Sequence, residues 1–492
     1  MVCRYASPMT ATDPALWTTT QQVAAIRRRE LGSVELLDAQ LARVERLDPQ
    51  VNAVCTLSID DARVRARAAD QATADGEVWG PLHGVPITVK DAIATAGIRS
   101  TGGSPQLLDH VPQIDAEAVA ALKQAGAIVF GKTNVPLWSG DLQTFNEMFG
   151  TTNNPWDLAR VPGGSSGGAA AAVACGMTSF EIGTDIGGSV RVPSAFCGVF
   201  GHKPSFGVIP TLGYLDEPNG GVTESDVNVF GPIARGADDL ELLLGVLARP
   251  TVERAVGWRL DLPPADVHDV RSLRVATWFD EPSIPMDAEM IGVLDGVADR
   301  LAEAGASVDR KARPQLDFTE AWHAGGWLIS SATHISDGDH TVHHVDWLVA
   351  DRVRARRRHR WAEFFENFDV LLCPVTLTPA FAHHQQGTWA NREIVVDGVT
   401  VPYFALEAWP ALIGSAYLPS TSTPVGRTAA GLPVGVQVVA PFLHDYQAIA
   451  ASALISDLVG GYEVPPIARS PASVAWARKP QRHATSVPES RP

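Results

Sequence analysis

The chain carries Gly163-Gly164-Ser165-Ser166-Gly167-Gly168, the first glycine loop, and Gly183-Thr184-Asp185-Ile186-Gly187-Gly188-Ser189, the second glycine loop. Glycine permits positive φ and a close approach of the backbone to a ligand, so a serine in such a turn can be aimed at a reacting carbon. Upstream, one lysine ends the alternating run Val85-Pro86-Ile87-Thr88-Val89-Lys90. A lysine that is removed from water can act as a neutral base. The combination favours nucleophilic catalysis by serine and lysine.

The first glycine loop has three interpretations. Gly163, Ser165 and Gly167 match the GxSxG pattern of a nucleophile elbow, which requires a strand directly before it. The preceding residues 153–162 lack a strand pattern, and this disfavours the elbow. A phosphate-binding loop would need the lysine of GxxxxGK[ST], which is missing. The structural interpretation is a glycine-rich turn that leads into a helix of small residues over 169–174.

The second glycine loop adds a group of backbone donors. The N–H groups of residues 186–189 can converge on one point, which is the geometry that an oxyanion hole requires. Asp185 is interpreted as a hydrogen-bonding brace for this loop, with an acid or base as the alternative. A lysine at a strand end is usually a solvated surface charge. The apolar neighbours Ile87 and Val89 instead place Lys90 near a core, where burial would lower the lysine pKa.

Alternating strand and helix patterns indicate an α/β fold. Asp115 and Asp287 can each cap a helix, and Gly126 and Gly305 can end these helices before short β-prone runs. A strand over 273–277 precedes the second helix. This alternation predicts a large, mostly parallel sheet that is flanked by helices on both faces.

The composition limits the classes of partner. The 492 residues are 45% hydrophobic and 19% charged, as in an ordinary soluble globular protein. The net charge of −16 argues against nucleic acid or an anionic membrane as a partner. Five cysteines without a CxxC pattern predict neither a disulfide framework nor a zinc site, and they favour a reducing cytoplasm. We expect no secretory signal, because residues 1–14 lack an apolar segment, and no stretch approaches the ~20 apolar residues of a membrane span.

Several motifs together resemble the amidase signature family, over residues 20 to 455. The spacings of 75 residues from Lys90 to Ser165 and 24 from Ser165 to Ser189 suit that family. The motifs are Pro81-Leu82-His83-Gly84-Val85-Pro86-Ile87-Thr88-Val89-Lys90-Asp91, both glycine loops with their continuation to Pro193, Phe196-Cys197-Gly198-Val199, Gly231-Pro232-Ile233-Ala234-Arg235, Asp369-Val370-Leu371-Leu372-Cys373-Pro374 and Gly431-Leu432-Pro433-Val434-Gly435-Val436-Gln437.

The resemblance implies a role for each candidate residue. Ser189 would be the nucleophile that forms an acyl-enzyme, Ser165 would relay protons from a cis peptide, and Lys90 would be the base. The implied oxyanion donors are the N–H groups of Ile186, Gly187, Gly188 and Ser189. Ser166, Asp185 and Arg191 would support the site. No cofactor and no metal are implied.

The resemblance also implies an arrangement of the chain. We expect a helical N-terminal segment over residues 1–70, a single α/β domain of the amidase-signature fold over 71–470, and a disordered tail over 471–492. The catalytic motifs would occupy about 80–240 and the substrate pocket about 310–420. A basic run over 352–360 is interpreted as a solvated helix face or one that pairs with acidic neighbours, with an anion site as the alternative.

The expected activity is that of a stand-alone amidase acting on a small amide, with esters or carbamates (urethanes) as further substrates of the same acyl chemistry. A homodimer is common among enzymes that resemble this chain. Apolar, mostly aromatic residues outside the motifs favour an apolar or aromatic substrate; they are Trp138, Phe145, Met148, Trp322, Trp327, Trp389 and Trp409.

Two rival functions stay open. One is the A subunit of a glutamine-dependent tRNA amidotransferase, which would pass ammonia to a partner protein. Arg191-Val192-Pro193 and Asp226-Val227-Asn228-Val229-Phe230 differ from what such subunits typically carry, and this favours the stand-alone enzyme. The other rival is a catalytically inactive binding protein, which the presence of Lys90, Ser165 and Ser189 disfavours.

Overall fold

The computed structural model describes residues 13–218, 220–333 and 342–469, so the predicted tail over 471–492 lies outside the described residues. The α-helices are α1 (Thr19–Arg27), α2 (Ser33–Val51), α3 (Ile59–Asp75), α4 (Glu117–Gln124), α5 (Gly167–Ala174), α6 (Arg191–Cys197), α7 (Ala237–Leu247), α8 (Ala288–Glu303), α9 (Phe318–Thr333), α10 (His344–Phe365), α11 (Ala408–Gly414), α12 (Asp445–Val459) and α13 (Pro466–Arg469). The strands are β1 (Val54–Leu57), β2 (Pro86–Lys90), β3 (Ile128–Thr133), β4 (Phe145–Asn146), β5 (Gly150–Thr151), β6 (Glu181–Asp185), β7 (Phe200–Lys203), β8 (Val229–Ala234), β9 (Arg274–Thr277), β10 (Ser307–Asp309), β11 (Val370–Pro374), β12 (Glu393–Val396), β13 (Val399–Pro402), β14 (Ser420–Arg427) and β15 (Pro433–Val439). Among these helices, none combines the length and the apolar character that crossing a membrane would take.

A central sheet organises the described part of the chain, with eight strands in the order β10-β9-β11-β15-β14-β7-β8-β6. β9 is parallel to β10 and to β11, whereas the other described pairings are antiparallel. The prediction of a mostly parallel sheet is therefore wrong in strand direction. The pattern that suggested it belongs to β9, α8 and β10, where a helix makes the crossover that parallel strands need. A short turn between β14 and β15 reverses the chain and makes that pair antiparallel.

Helices cover both faces of this sheet, as the sequence predicts. Successive residues of β11 point to opposite faces, as in any strand. Leu371 and Cys373 pack with residues of α6 and α11 in one core cluster. Val370 and Leu372 pack with residues of α8 and α12 in another. The strand is apolar on both sides because it is buried on both sides.

A second sheet of three strands, β1-β3-β2, lies beside the end of the central sheet at β6. β2 is parallel to β3, and β1 is antiparallel to it. β1 lies within the residues that the sequence assigned to a helical N-terminal segment, so α2 and α3 flank a strand of this sheet. The boundary near residue 70 stays a prediction.

The two helix caps predicted from sequence have different outcomes. The Asp287 carboxyl accepts a hydrogen bond from the N–H of Met290 and caps α8, as predicted. The prediction for Asp115 is wrong, because Ala116 occupies the cap position of α4. The Asp115 carboxyl, one residue before that position, instead accepts hydrogen bonds from the N–H of Ala96 and the amine of Lys123.

Candidate active site

Lys90 lies at the end of β2, a strand whose residues are all buried. Its Nζ donates hydrogen bonds to Ser165 Oγ at 2.6 Å and to Thr184 Oγ1 at 2.7 Å. Burial lowers the pKa of Lys90 to about 7, although the negative charges of Asp185 and Glu181 raise it. The surface-charge interpretation is therefore wrong. Near neutral pH a substantial fraction of this amine is unprotonated and able to accept a proton.

The first glycine loop places Ser165 against this amine. Ser165 is fully buried, and the Gly164–Ser165 peptide bond is cis, as the resemblance implies. A Cβ on Gly164 would lie 2.5 Å from the carbonyl oxygen of Asp141, so the loop requires glycine there. Residues 153–162 form no extended strand, and α5 begins at Gly167, within the loop. The structure thus supports the turn before a small-residue helix and not the nucleophile elbow.

Asp185 braces the second glycine loop. Its carboxyl accepts hydrogen bonds from the N–H groups of Gly188 at 2.9 Å, Val190 at 3.0 Å and Arg191 at 3.3 Å. The Arg191 guanidinium donates two more, at 3.0 and 2.8 Å. Burial alone would raise the pKa of Asp185, but the charge and hydrogen bonds of Arg191 lower it to about 2. A carboxylate that stays ionised and saturated with donors acts as a brace, which favours that interpretation over an acid or base.

The backbone donors of the second glycine loop differ in their availability. Of the four predicted oxyanion donors, the N–H of Gly188 already donates to Asp185. Among the described residues, the N–H groups of Ile186, Gly187 and Ser189 have no hydrogen-bond acceptor. Three free N–H groups within one loop are suited to hold an oxygen that develops negative charge.

The two glycine loops contact each other. The N–H of Ser166 donates to the carbonyl oxygen of Ser189 at 3.1 Å, and its hydroxyl donates to the carbonyl of Thr184 at 3.4 Å. Ser189 is 8% exposed, whereas Lys90 and Ser165 are 0% exposed. Of these three side chains, Ser189 is therefore the one that a substrate can reach.

Arg191 anchors the second glycine loop to the rest of the domain. This fully buried side chain donates to the carbonyl oxygen of Pro410 at 3.1 Å and to Gln437 Oε1 at 2.9 Å, besides its pair with Asp185. The hydrogen bonds to Pro410 and Gln437 connect the second glycine loop to α11 and β15. A buried guanidinium needs this complete set of acceptors, because an unpaired buried charge is strongly destabilising.

Two polar residues of the site were not predicted as site residues. Thr184 precedes Asp185 in the second glycine loop, so its place in that motif was a usable signal. Glu181 is fully buried at the start of β6 and accepts hydrogen bonds from Thr133 Oγ1 at 2.9 Å and from the N–H of Ile182 at 3.0 Å. Burial raises its pKa to about 7.

In the described part of the chain, no three His, Cys, Asp or Glu side chains are grouped so that they could bind a metal ion.

An apolar wall lies next to the second glycine loop. Ile186 packs with Val227, Ile329 and Ala411, and Trp322 and Tyr417 border the same cluster. Trp322 is one of the aromatic residues that the sequence suggested for a pocket. Trp409, another of them, packs in the core against Trp278 and Phe318.

Comparisons with known proteins show the family to which the chain is similar. The sequence profile of the Amidase family matches residues 35–341 and 322–449. The A subunit of the glutamyl-tRNA(Gln) amidotransferase of Roseiflexus sp. (strain RS-1) is 32% identical over 459 residues, which cover 84% of this chain and 91% of that protein. A chain from the structure of a vestigial protein complex, described as revealing the evolutionary origins of an s-triazine catabolic enzyme, is 25% identical, with a TM-score of 0.79 over 91% of this chain and 100% of that chain. A bacterial aryl acylamidase shares the fold at 24% identity, with a TM-score of 0.78 over 93% and 99% of the two chains. The chain belongs to the amidase signature family of carbon–nitrogen hydrolases.

Proposed function

We propose that this chain hydrolyses the carbon–nitrogen bond of a small carboxamide through an acyl-enzyme on Ser189. The observation that carries this proposal is the buried contact of 2.6 Å between Lys90 Nζ and Ser165 Oγ. An amine whose pKa is about 7 can both remove and return a proton near neutral pH. It is therefore suited to serve an attacking hydroxyl and a departing amine in turn.

In the first half of the reaction, Ser189 Oγ attacks the carbonyl carbon. Its proton passes to Ser165 Oγ while the Ser165 proton passes to Lys90 Nζ. The tetrahedral oxyanion is held by the free N–H groups of Ile186, Gly187 and Ser189. The carbon–nitrogen bond then breaks, and the leaving amine takes the proton back from Lys90 through Ser165. Water repeats these steps on the acyl-enzyme and releases the carboxylic acid.

The apolar wall around Ile186 supports an apolar or aromatic substrate. Esters and carbamates (urethanes) are included in the proposal, because they form the same acyl-enzyme with different leaving groups. A cytoplasmic location and a homodimer remain part of the proposal.

The A subunit of a glutamine-dependent amidotransferase is the second candidate. The name of the Roseiflexus relative supports it more directly than it supports a stand-alone amidase, since the match covers most of both chains. The proposed acyl chemistry is the same in both cases. Two local differences support the stand-alone enzyme, namely Arg191-Val192-Pro193 after Ser189 and the stretch that begins at Asp226. Asp226 accepts hydrogen bonds here from Arg354 at 2.8 Å and Tyr417 at 2.5 Å.

A turnover screen distinguishes the two candidates. The purified chain is tested on aryl amides, aliphatic amides, p-nitrophenyl esters, aryl carbamates and glutamine. Efficient hydrolysis of a non-glutamine amide by the chain alone supports the stand-alone enzyme. Glutaminase activity that appears only with a co-purified partner protein supports the amidotransferase candidate.

Ser189→Ala tests the nucleophile in the same screen. We expect kcat for every accepted substrate to fall by about 10³-fold or more, because no other hydroxyl can form the acyl-enzyme. Ser58→Ala, at a partly exposed serine next to α3 and outside the site, is the matched control and should keep wild-type turnover. Full turnover by Ser189→Ala on all substrates would refute the mechanism.

Lys90→Ala tests the proton relay. The loss should be larger for an aryl amide than for a p-nitrophenyl ester, because a good leaving group departs without being protonated. We expect the difference to be about tenfold or more in kcat/KM. Equal losses on the two substrates would contradict the role of Lys90 in protonating the leaving amine.

A further inference from the structure

Glu407 is an ionisable residue beside the second glycine loop that the proposed mechanism does not use. Its Oε2 atom lies 2.7 Å from the position that a Cβ on Gly187 would occupy. Ile329 Cδ1 borders that position at 3.8 Å, and Glu407 Oε1 lies 3.6 Å from the corresponding position on Gly326 of α9. The carboxyl group is therefore placed between the candidate oxyanion loop and the apolar wall.

This carboxyl group has no partner of its own in the protein. Within residues 13–218, 220–333 and 342–469, no N–H or O–H donates to it and no cation pairs with it. The side chain is half-buried, and burial raises the pKa of Glu407 to about 8. Placing a carboxyl group in such surroundings is unfavourable unless a partner compensates for the lost hydration. The missing partner is expected to come from outside the chain.

The position next to Gly187 limits what that partner can be. A carbonyl oxygen on the free N–H of Gly187 would place the substrate carbons nearest the carbonyl close to Glu407. With a pKa of about 8, the carboxyl group of Glu407 is mostly protonated near neutral pH when no cation is bound. A substrate cation beside it would favour the ionised form by pairing with it, and the pair would carry no net charge to oppose a nearby oxyanion. A neutral substrate group would leave the carboxyl group protonated and its charge unused.

We infer that Glu407 binds a primary ammonium group on the first or second carbon from the scissile carbonyl. The inference rests on the proposed function and narrows it to amides of amino acids with an apolar or aromatic side chain. Ile186, Ile329 and Trp322 would contact the side chain of such a substrate, while Glu407 would contact its ammonium group. Glu407 would then decide which amides are accepted, and Lys90, Ser165 and Ser189 would carry out the reaction.

Matched amides test this assignment. L-Phenylalaninamide and 3-phenylpropanamide differ only by the amino group on the first carbon, and 3-amino-3-phenylpropanamide places it on the second. We expect the wild-type chain to prefer one of the amino amides by at least about tenfold in kcat/KM. Glu407→Gln keeps the size and removes the charge, and it should lower this preference by about 10- to 100-fold, mainly through KM. Glu393→Gln, at an exposed position of β12, is the matched control and should keep the preference.

Binding to the Ser189→Ala chain supplies a second readout that does not need turnover. The amino amide that the wild-type chain prefers should bind this chain more tightly than 3-phenylpropanamide, and addition of Glu407→Gln should abolish the difference. An unchanged preference in Glu407→Gln would overturn the inference, since glutamine can replace a neutral hydrogen-bonding acid but not an anion. Ser189-dependent hydrolysis of amides without any preference for the amino group would overturn the ammonium site alone. A chain that hydrolyses no amide would overturn the proposed function and this inference with it.

Discussion

Lys90 keeps a pKa near neutrality because opposing effects act on its amine. Burial lowers the pKa, and the carboxylates of Asp185 and Glu181 raise it. Asp185 stays ionised at all moderate pH values, since its own pKa is about 2. Glu181 has a pKa of about 7 and changes charge in the same range as Lys90. A change in the charge of Glu181 therefore changes the pKa of Lys90.

The pH dependence of amide hydrolysis tests this relation. The base must be unprotonated, so kcat/KM should rise as the pH passes through about 7 and then level off. Glu181→Gln removes a negative charge that favours protonated Lys90. The midpoint should therefore move to lower pH, by about one unit. A profile recorded from about pH 5 to about pH 9 measures the midpoint. An unchanged or raised midpoint would contradict the role of Glu181.

The sequence predicts some residues of this site better than others. Ser165 and Ser189 stand in glycine loops whose backbone demands are visible in the residue types, and Lys90 ends an apolar strand. The structure brings Lys90 and Ser165 into direct contact, while their catalytic roles remain a proposal. Glu181 and Glu407 belong to no motif. They reach the site because β6 and the segment before α11 are packed there, and a sequence does not show such packing.

At the scale of elements, the second glycine loop connects β6 to α6 while α11 packs against its outer side. Gly188 has a φ of +111°, and a Cβ there would lie 2.9 Å from two side-chain carbons of Pro410. The loop can thus hold its free N–H groups in place only with glycine at this position. The backbone of Gly188 also supplies a hydrogen bond to Asp185, so a shift would disturb the brace as well.

Gly188→Ala tests this dependence against a matched glycine. Strain and steric overlap together should lower the free energy of unfolding by about 2–4 kcal/mol and reduce kcat by about 100-fold. Gly97 also has positive φ, of +77°, but a Cβ there would meet nothing within 4 Å. Gly97→Ala should therefore cost about 1–2 kcal/mol from strain alone and leave kcat near the wild-type value. Urea unfolding and steady-state kinetics measure both effects, and equal losses in the two variants would refute the steric argument.

Strand direction shows the limit of local patterns at this scale. The β-prone runs of β14 and β15 have the same character as those of β9 and β10. Their directions differ because a short turn joins the first pair and α8 joins the second. A pattern of alternating helix and strand indicates the crossover of α8 but does not describe the rest of the sheet. The presence of a large sheet covered by helices was predictable, whereas the direction of its strands was not.

At the scale of the whole molecule, Asp226 joins the region of the catalytic motifs to α10. Its carboxyl accepts hydrogen bonds from Arg354 at 2.8 Å, from Tyr417 Oη at 2.5 Å and from Trp347 Nε1 at 3.3 Å.

Arg354 belongs to the basic run that the sequence placed on a solvated or paired helix face. Its side chain is only 3% exposed and also pairs with Asp351, so at this residue the paired alternative applies. The neighbouring Val227 belongs to the apolar wall around Ile186.

Asp226→Asn should therefore weaken the domain and the substrate pocket while the proton relay stays intact. The buried guanidinium of Arg354 would keep one charged partner instead of two, so the free energy of unfolding should fall by about 2–4 kcal/mol. Because Val227 adjoins Asp226, the apolar wall should loosen and KM for an aromatic amide should rise about tenfold, with a smaller change in kcat.

Glu363→Gln is the matched control, since it disrupts the exposed Arg360–Glu363 pair of α10 and should change neither the free energy of unfolding nor KM appreciably. Urea unfolding and steady-state kinetics provide both measurements. A fall in kcat at constant KM would show instead that Asp226 acts on the reacting groups and not on the wall of the pocket.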